Sequence, residues 1–489
     1  MVRHGLATLV CASVTAAVAC AVVSAGAAAP ARADASPAVA GTALAAPPLA
    51  ATALPARGIW ATVTGPTIDT ETWVDVGRGP DGALYAAGSF GATAGAGDIM
   101  VAKFSANDRA SDHVLWTDVW HDPAEHLVDQ ASALAVDGSG ALVVAGTSQS
   151  ATNGLEWVVA KWTAAGAEAW QTVTPAHAGD HWFASASDVV CDAAGDVYVC
   201  GTAQTGTAHG TRVSSLVVRK LSGTDGHVVW TRAYAGTPHS ANWGLRLALG
   251  TAGDLYCTGF GGSVHGDPDM LVCRLSTASG RLLWLSRLAD AHHRKDEGVA
   301  LALRGSHLWV TGFETTSAAS RAAVLAKYTL GGRRLWLRTW LETPRTFEDP
   351  TGLTVDLRGN AVVVGDGFSN PATREHAFIL HYDPSGRLTW QSIAYDPTSH
   401  KAAWYGVVGD GSGRIWTVGG VPSGSSTSLT VASYAANGAD RWRSVWAGPD
   451  GLGASGNAIC LANGGGVFVG GAVVTKAGRV DALAVKLTR

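Results

Sequence analysis

The sequence predicts an all-β fold: a single β-propeller of eight four-stranded blades, with seven as the alternative count, closed by an N-terminal strand pairing in the last blade. Three observations carry this expectation. A short strand ending in Gly recurs eight times between residues 58 and 489. A Trp follows seven of the eight copies, and successive copies of it lie 52 to 60 residues apart. The eighth copy has no such Trp, while a lone strand with one, "GIWATVTG", opens the region at residue 58. Units of four strands at a period near 50 residues cannot bury both faces alone and must stack around an axis.

The strands of one unit follow in order. Strand A is an apolar run that turns on Asp or Gly, as in "SALAVDGSG" and "GLTVDLRGN". Strand B ends in Gly: "ALYAAG", "ALVVAG", "DVYVCG", "DLYCTG", "HLWVTG", "NAVVVG", "RIWTVG" and "GVFVGG". Strand C follows, in several copies with a basic residue: "VAKF", "VAKW", "VRKL", "VCRL", "LAKY", "AVKL". Strand D carries the Trp: Trp116, Trp170, Trp230, Trp284, Trp336, Trp390 and Trp442. The eighth unit stops after strand C, so Trp60 in the N-terminal strand is expected to complete it and remove an exposed strand edge. The weakest A strand is the first, which carries Asp75 within "TWVDVGRGPDG".

Three segments are expected: a signal peptide at 1–35, an Ala/Pro-rich linker at 36–57 and the propeller at 58–489. "MVRH" gives positive charge, an apolar run follows, and "PARADAS" offers small residues for cleavage. Export to an extracellular location is expected, with an uncleaved N-terminal membrane anchor as the alternative; lipidation at Cys20 is disfavoured by the apolar run beyond it. No transmembrane span is expected after the signal is removed. Charged residues are only 15% of the chain and nearly balanced, with 35 basic against 39 acidic, so nucleic acid is excluded as a partner. Five Cys remain beyond the signal, an odd number. If the turn "DAAGD" is symmetric about Ala194, Cys191 faces Val197 and Cys200 faces Asp188, which disfavours a bond between the two Cys. Cys257 and Cys273 sit on neighbouring strands and are the better disulfide candidates; small buried thiols are the favoured reading.

"DGSGALVVAG…WVVAKWTAAGAEAW" resembles the SBBP-type propeller repeat of secreted bacterial proteins. "KLSGTDGHVVW" and "RLSTASGRLLW" are similar to the repeats of PQQ-like quinoproteins. The resemblance spans nearly everything after residue 57 and rests on turn and core positions, so it implies fold rather than function. A PQQ dehydrogenase would carry a vicinal Cys-Cys pair near its cofactor; the chain has none, and no cofactor is expected.

In an A-B-C-D meander the A–B and C–D turns share one face, and the B–C and D–A connections share the other. The first set is short and glycine-rich; the second is long and irregular, the place where function concentrates on a rigid scaffold. That face is expected to hold a ligand site at the mouth of a central channel, made of Trp120, His121, Asp122, His126, His181, Trp182, Trp243, His292, His293 and Trp404. The loop Trp residues are expected to be exposed there. "HDPAEH" and "DAHHRKDE" mix His with carboxylates, but their spacing fits no zinc motif and no metal is assigned. No G-x-S-x-G elbow and no P-loop occur. The expected function is a non-catalytic, monomeric binding or scaffold protein for a glycan, peptide or surface partner. The alternative is an extracellular enzyme, polysaccharide-active or quinoprotein-like, working at the same mouth.

Overall fold

The computed structural model describes residues 58–488 apart from 65–69, 93–95, 111–112, 124–126, 176–181, 209–210, 236–241, 263–266, 290–293, 318–319, 344–345, 370–374, 396–401, 424–425 and 477. These form 32 strands, and the only helical turn among the described residues is the 3-10 segment Asn463–Gly465. The strands make antiparallel four-stranded meanders. Four stand as separate sheets, and two eight-stranded sheets each consist of two meanders joined edge to edge. The joins are short parallel contacts, Trp182 with Gly154 and Phe183 with Leu155 in one, and Arg321 with Phe347 in the other.

The A strands are Thr70–Arg78, Asp129–Val136, Trp182–Cys191, Trp243–Leu249, Glu297–Arg304, Thr346–Val355, Ala403–Gly409 and Ala454–Leu461. All of them slip register at the same point, between Trp73 and Asp75, Ala131 and Ala133, Ala186 and Asp188, Gly244 and Arg246, Gly298 and Ala300, Pro350 and Gly352, Trp404 and Gly406, and Gly456 and Ala458. A bulge of this kind turns a backbone carbonyl out of the ladder. It also explains the Gly that ends each B strand. At Gly88, Gly146, Gly201, Gly259, Gly312, Gly365, Gly419 and Gly471 an added Cβ would lie 1.8 to 2.3 Å from the carbonyl oxygen of the A-strand residue two before the bulged one. No side chain fits at that distance, so the eightfold Gly of the sequence is a steric requirement of the eightfold bulge.

The first A strand, the weakest in sequence because of Asp75, pairs with its B strand and bulges as the other seven do. Asp75 sits just past the bulge. One carboxylate oxygen accepts the Val76 N–H at 2.8 Å and the other accepts Leu134 N–H, from the next A strand, at 2.9 Å. Asp188 ties its strand to the following one in the same way, accepting Leu247 N–H at 2.7 Å. Burial, together with the nearby Asp188 charge, pushes Asp75 up to about 6, against the pull of its two backbone donors.

The Trp and the basic residue of the repeat act at the junction between one meander and the next. Trp116 Nε1 and Lys103 Nζ both donate to Ala164 O in the next C–D turn, each at 3.2 Å. Trp170 and Lys161 share Gly223 O at 3.2 and 3.0 Å, Trp284 and Arg274 share Leu330 O at 3.0 and 3.1 Å, and Trp336 and Lys327 share Pro384 O at 3.2 and 3.1 Å. Trp230 and Trp390 make the same bond to Thr277 O and Ala436 O, each at 3.0 Å. Each accepting turn lays a Gly on the indole. Gly332, at φ 91°, would place a Cβ 2.7 Å from the Trp284 ring, so the turn needs Gly both for its backbone and for the contact. Three of these basic residues also pair with Asp of their own A–B turn: Lys103 with Asp81 at 3.2 Å, Lys161 with Asp137 at 2.9 Å and Arg274 with Asp254 at 2.6 Å. Replacing Trp284 by Phe keeps a ring over Gly332 and removes the donor. A loss of about 1 kcal/mol is expected in denaturant unfolding, with a larger loss for Trp284→Ala.

The apolar core lies between meanders rather than within them. Tyr85, Val101, Leu142 and Trp162 join the first to the second; Val143, Trp157, Val199 and Val217 join the second to the third. Further clusters join each consecutive pair. Trp73 and Phe104 of the first meander pack with Phe468 and Ala484 of the last. The strand Gly58–Thr64 pairs antiparallel with Val480–Leu487, with Trp60 opposite Lys486. The Trp60 side chain, and with it the expected burial of its indole, lies outside the described residues.

Cys191 pairs with Val197 and Asp188 with Cys200, the register expected from a turn centred on Ala194. Cys257 lies directly opposite Cys273. The five thiols among the described residues are free, and Cys200, Cys257 and Cys273 are buried.

Candidate functional site

Positions that repeat are consumed by the fold, so the informative places are those that depart from the repeat. One row crosses the meanders on the face of the B–C and D–A connections. Its residues are Glu71, Phe90 and Asp98 in the first; Asp129, Ser148 and Glu156 in the second; Ala184, Ala203 and Ser215 in the third; and Ala454, Val473 and Asp481 in the last. In the sixth the same row reads Glu348, Gly367, His376. Of these rows it alone places an imidazole across from a carboxylate, with only a Gly between them.

The bare Gly is what lets the two side chains meet. A Cβ at Gly367 would lie 2.3 Å from a Glu348 oxygen and 2.5 Å from the His376 ring. His376 Nε2 stands 2.9 Å from Glu348 Oε2, and Nδ1 stands 3.5 Å from Glu342 Oε2, which the D–A connection brings in. The Glu342 backbone N–H donates to Glu348 Oε1 at 3.3 Å and so anchors that connection to the strand. Glu348 and His376 are buried and Glu342 is half-buried. Burial alone would lower the His376 pKa. The bond to Glu348 and the charges of Glu348, Glu342 and Asp366 outweigh it and hold the imidazole above its ordinary value. Asp366, beside this row, is pushed up to about 8 by burial and then by the Asp349 and Glu375 charges.

A ladder of cations and phenyl rings runs into this cluster from the two preceding meanders. Lys295 lies 5.5 Å from the Phe260 ring and 6.0 Å from the Phe313 ring. Arg321 lies 4.1 Å from Phe313 and 5.7 Å from Phe347. Phe347 and Phe368 face each other across the strand pair and stack, with centroids 4.9 Å apart at 10°. Arg321 also pairs with Asp349. Phe260 and Phe313 are buried, each one residue past its B-strand Gly, whereas Arg321, Phe347, Asp349 and Phe368 keep part of their surface in solvent.

The residues singled out from the sequence are distributed differently from expectation. Trp120, Trp243 and Trp404 are 3, 7 and 2% exposed, so the expectation of exposed loop indoles is corrected. Each lies at the end of a regular strand, where packing between meanders removes a large apolar ring from water. Trp120 donates to Gln171 Oε1 and Trp243 to Ser187 Oγ, bonds that serve the junctions. Asp122 is buried, and its N–H donates to Asp129 Oδ2 at 3.0 Å. His121 is exposed. His126, His181, His292, His293 and the side chain of Trp182 lie outside the described residues. Glu348 and His376, which are brought together, lie outside the ten residues expected from the sequence, as do Lys295, Arg321, Glu342, Phe347, Asp366 and Phe368. For Phe347, Glu348, Asp366 and Phe368 the signal in the sequence was the departure from the repeat in "TFEDPTG" and "GDGFSN", where acids and Phe replace apolar or small residues.

No protein-family model and no curated protein matches the chain. Among solved structures it is similar to the quinohemoprotein alcohol dehydrogenase of Comamonas testosteroni, at 11% identity and a TM-score of 0.52, over 88% of this chain and 76% of that one. It is similar to Sqt1 of Chaetomium thermophilum at 9% identity and a TM-score of 0.51, over 88% and 99% of the two chains. BamB of Moraxella catarrhalis aligns at 13% identity and a TM-score of 0.46, over 86% and 100%. At such identities the likeness concerns fold alone, and the fold is a β-propeller.

Proposed function

We propose that the chain is an exported propeller of eight blades, closed by its N-terminal strand, that works as a binding or scaffold protein through the face of its B–C and D–A connections. Pairing of Gly58–Thr64 with Val480–Leu487 supports closure, as does the cluster that packs Trp73 and Phe104 against Phe468. The charged, apolar and small-residue pattern of residues 1–35 supports export. The ligand in this reading is a glycan, a peptide or a surface partner, and the protein acts as a monomer without a cofactor.

One observation carries the assignment of the face. Arg321, Phe347, Asp349 and Phe368 form a partly exposed patch of stacked rings, cation and carboxylate at a place where the repeat is broken. Rings held flat beside hydrogen-bonding charges give a ligand both apolar contact and orientation. Glycan and peptide arrays probed with the chain from residue 58 onward test it. Phe347→Ala or Phe368→Ala is expected to weaken any ligand found by about 1–3 kcal/mol, while Ser385→Ala in a C–D turn leaves affinity unchanged. Binding that survives both Phe variants in folded protein rules out this patch. Turnover on a polysaccharide panel, abolished in Asp349→Asn, would replace the binding reading with the enzyme one.

A further inference from the structure

We propose that Glu342, Glu348 and His376 form a site for a first-row divalent cation of the Zn²⁺ class. The site is additional to the binding patch and does not depend on what, if anything, that patch binds. One ligand atom from each residue lies within 4.8 Å of the other two. A tetrahedral cation about 2.0–2.2 Å from imidazole nitrogen and carboxylate oxygen sets its ligands about 3.3–3.6 Å apart, so to admit it the trio must draw in and turn one His376 nitrogen, rather than both, toward the ion. One nitrogen with two anionic oxygens is a donor set that suits Zn²⁺ and its neighbours better than Ca²⁺ or Mg²⁺, which take oxygen alone.

Three features show that the place is built rather than incidental. Gly367 clears the floor, since a Cβ there would strike both Glu348 and His376. Glu348 and His376 are held on adjacent antiparallel strand pairs and are buried, so neither swings away. Glu342 comes from outside the sheet and is the half-buried member, which leaves the cluster open on its side. The same row in the other meanders just described has no imidazole, so the repeat itself does not require the trio.

Chelator-treated protein is titrated with ZnCl₂ by calorimetry, and its melting is followed with and without the metal. One saturable equivalent and a raised melting temperature are expected. Glu342→Gln changes the least buried ligand and is expected to melt like the wild type in chelator, yet to bind Zn²⁺ at least ~10-fold more weakly. His376→Gln is expected to lose the equivalent as well. Co²⁺ bound at the site is expected to show visible absorption that both variants abolish. Absence of a saturable equivalent in the wild type would overturn the proposal, as would wild-type Zn²⁺ affinity in folded Glu342→Gln. In the latter case the trio is an ion-pair clamp, and the metal sits on surface His.

Discussion

Gly312→Ala is expected to destabilise the protein by about 3 kcal/mol or more, a large effect for the addition of one methyl group. The new Cβ would sit 1.8 Å from Glu297 O, 2.8 Å from its carbonyl carbon and 2.9 Å from Gly298 Cα. All three are backbone atoms, so no rotamer change relieves the contact; the A strand must move or lose its bulge. Gly138→Ala is the control. Its Cβ would meet nothing within 4 Å, and the expected change is within about 0.5 kcal/mol or slightly stabilising through the unfolded chain. Denaturant midpoints of the two variants, measured side by side, check the pair. Equal midpoints would mean that the bulge yields freely and does not dictate the Gly.

Removal of residues 58–66 is expected to be the other severe lesion. The strand supplies backbone partners to Val480–Leu487 from Ala482 to Leu487. Without it that strand becomes an open edge, free to pair with another chain. A loss of about 3–5 kcal/mol and concentration-dependent association are expected. A chain lacking only residues 36–57 is expected to melt within a degree or so of the full one. Identical melting of both truncations would show that the strand is dispensable and that the closure reading fails.

The architecture was readable because its signals are local and repeated. The D-strand Trp, the C-strand Lys or Arg and the turn Gly each recur because one junction geometry recurs, so period alone exposed them. The strand at residues 58–64 was readable for the same reason, as the last meander lacked a strand and this one was spare. The bulge was not legible. It is a register slip between strands and leaves no residue signature on strand A, only the Gly on strand B whose cause lies across the ladder. The loop Trp residues misled because position in a connection suggests exposure, whereas an indole at a strand end can still fold back between sheets, as Trp120 and Trp404 do. The Glu342–Glu348–His376 cluster was hidden for another reason. Its members are spread over 35 positions of sequence and meet only when two strands come into register across a third and the D–A connection folds back against them.

The junction bonds made by the D-strand Trp and the C-strand Lys or Arg run one way along the chain: one meander donates, and the C–D turn of the next accepts. The last meander follows the rule, with Lys486 donating to Ala106 O of the first at 3.0 Å. A chain with this polarity has a giving flank and a receiving flank that fit each other. A copy shortened by one whole unit would therefore present two unlike, mutually complementary ends. Such copies are matched head to tail, and their self-assembly would run to open filaments or to larger mixed rings rather than to symmetric pairs.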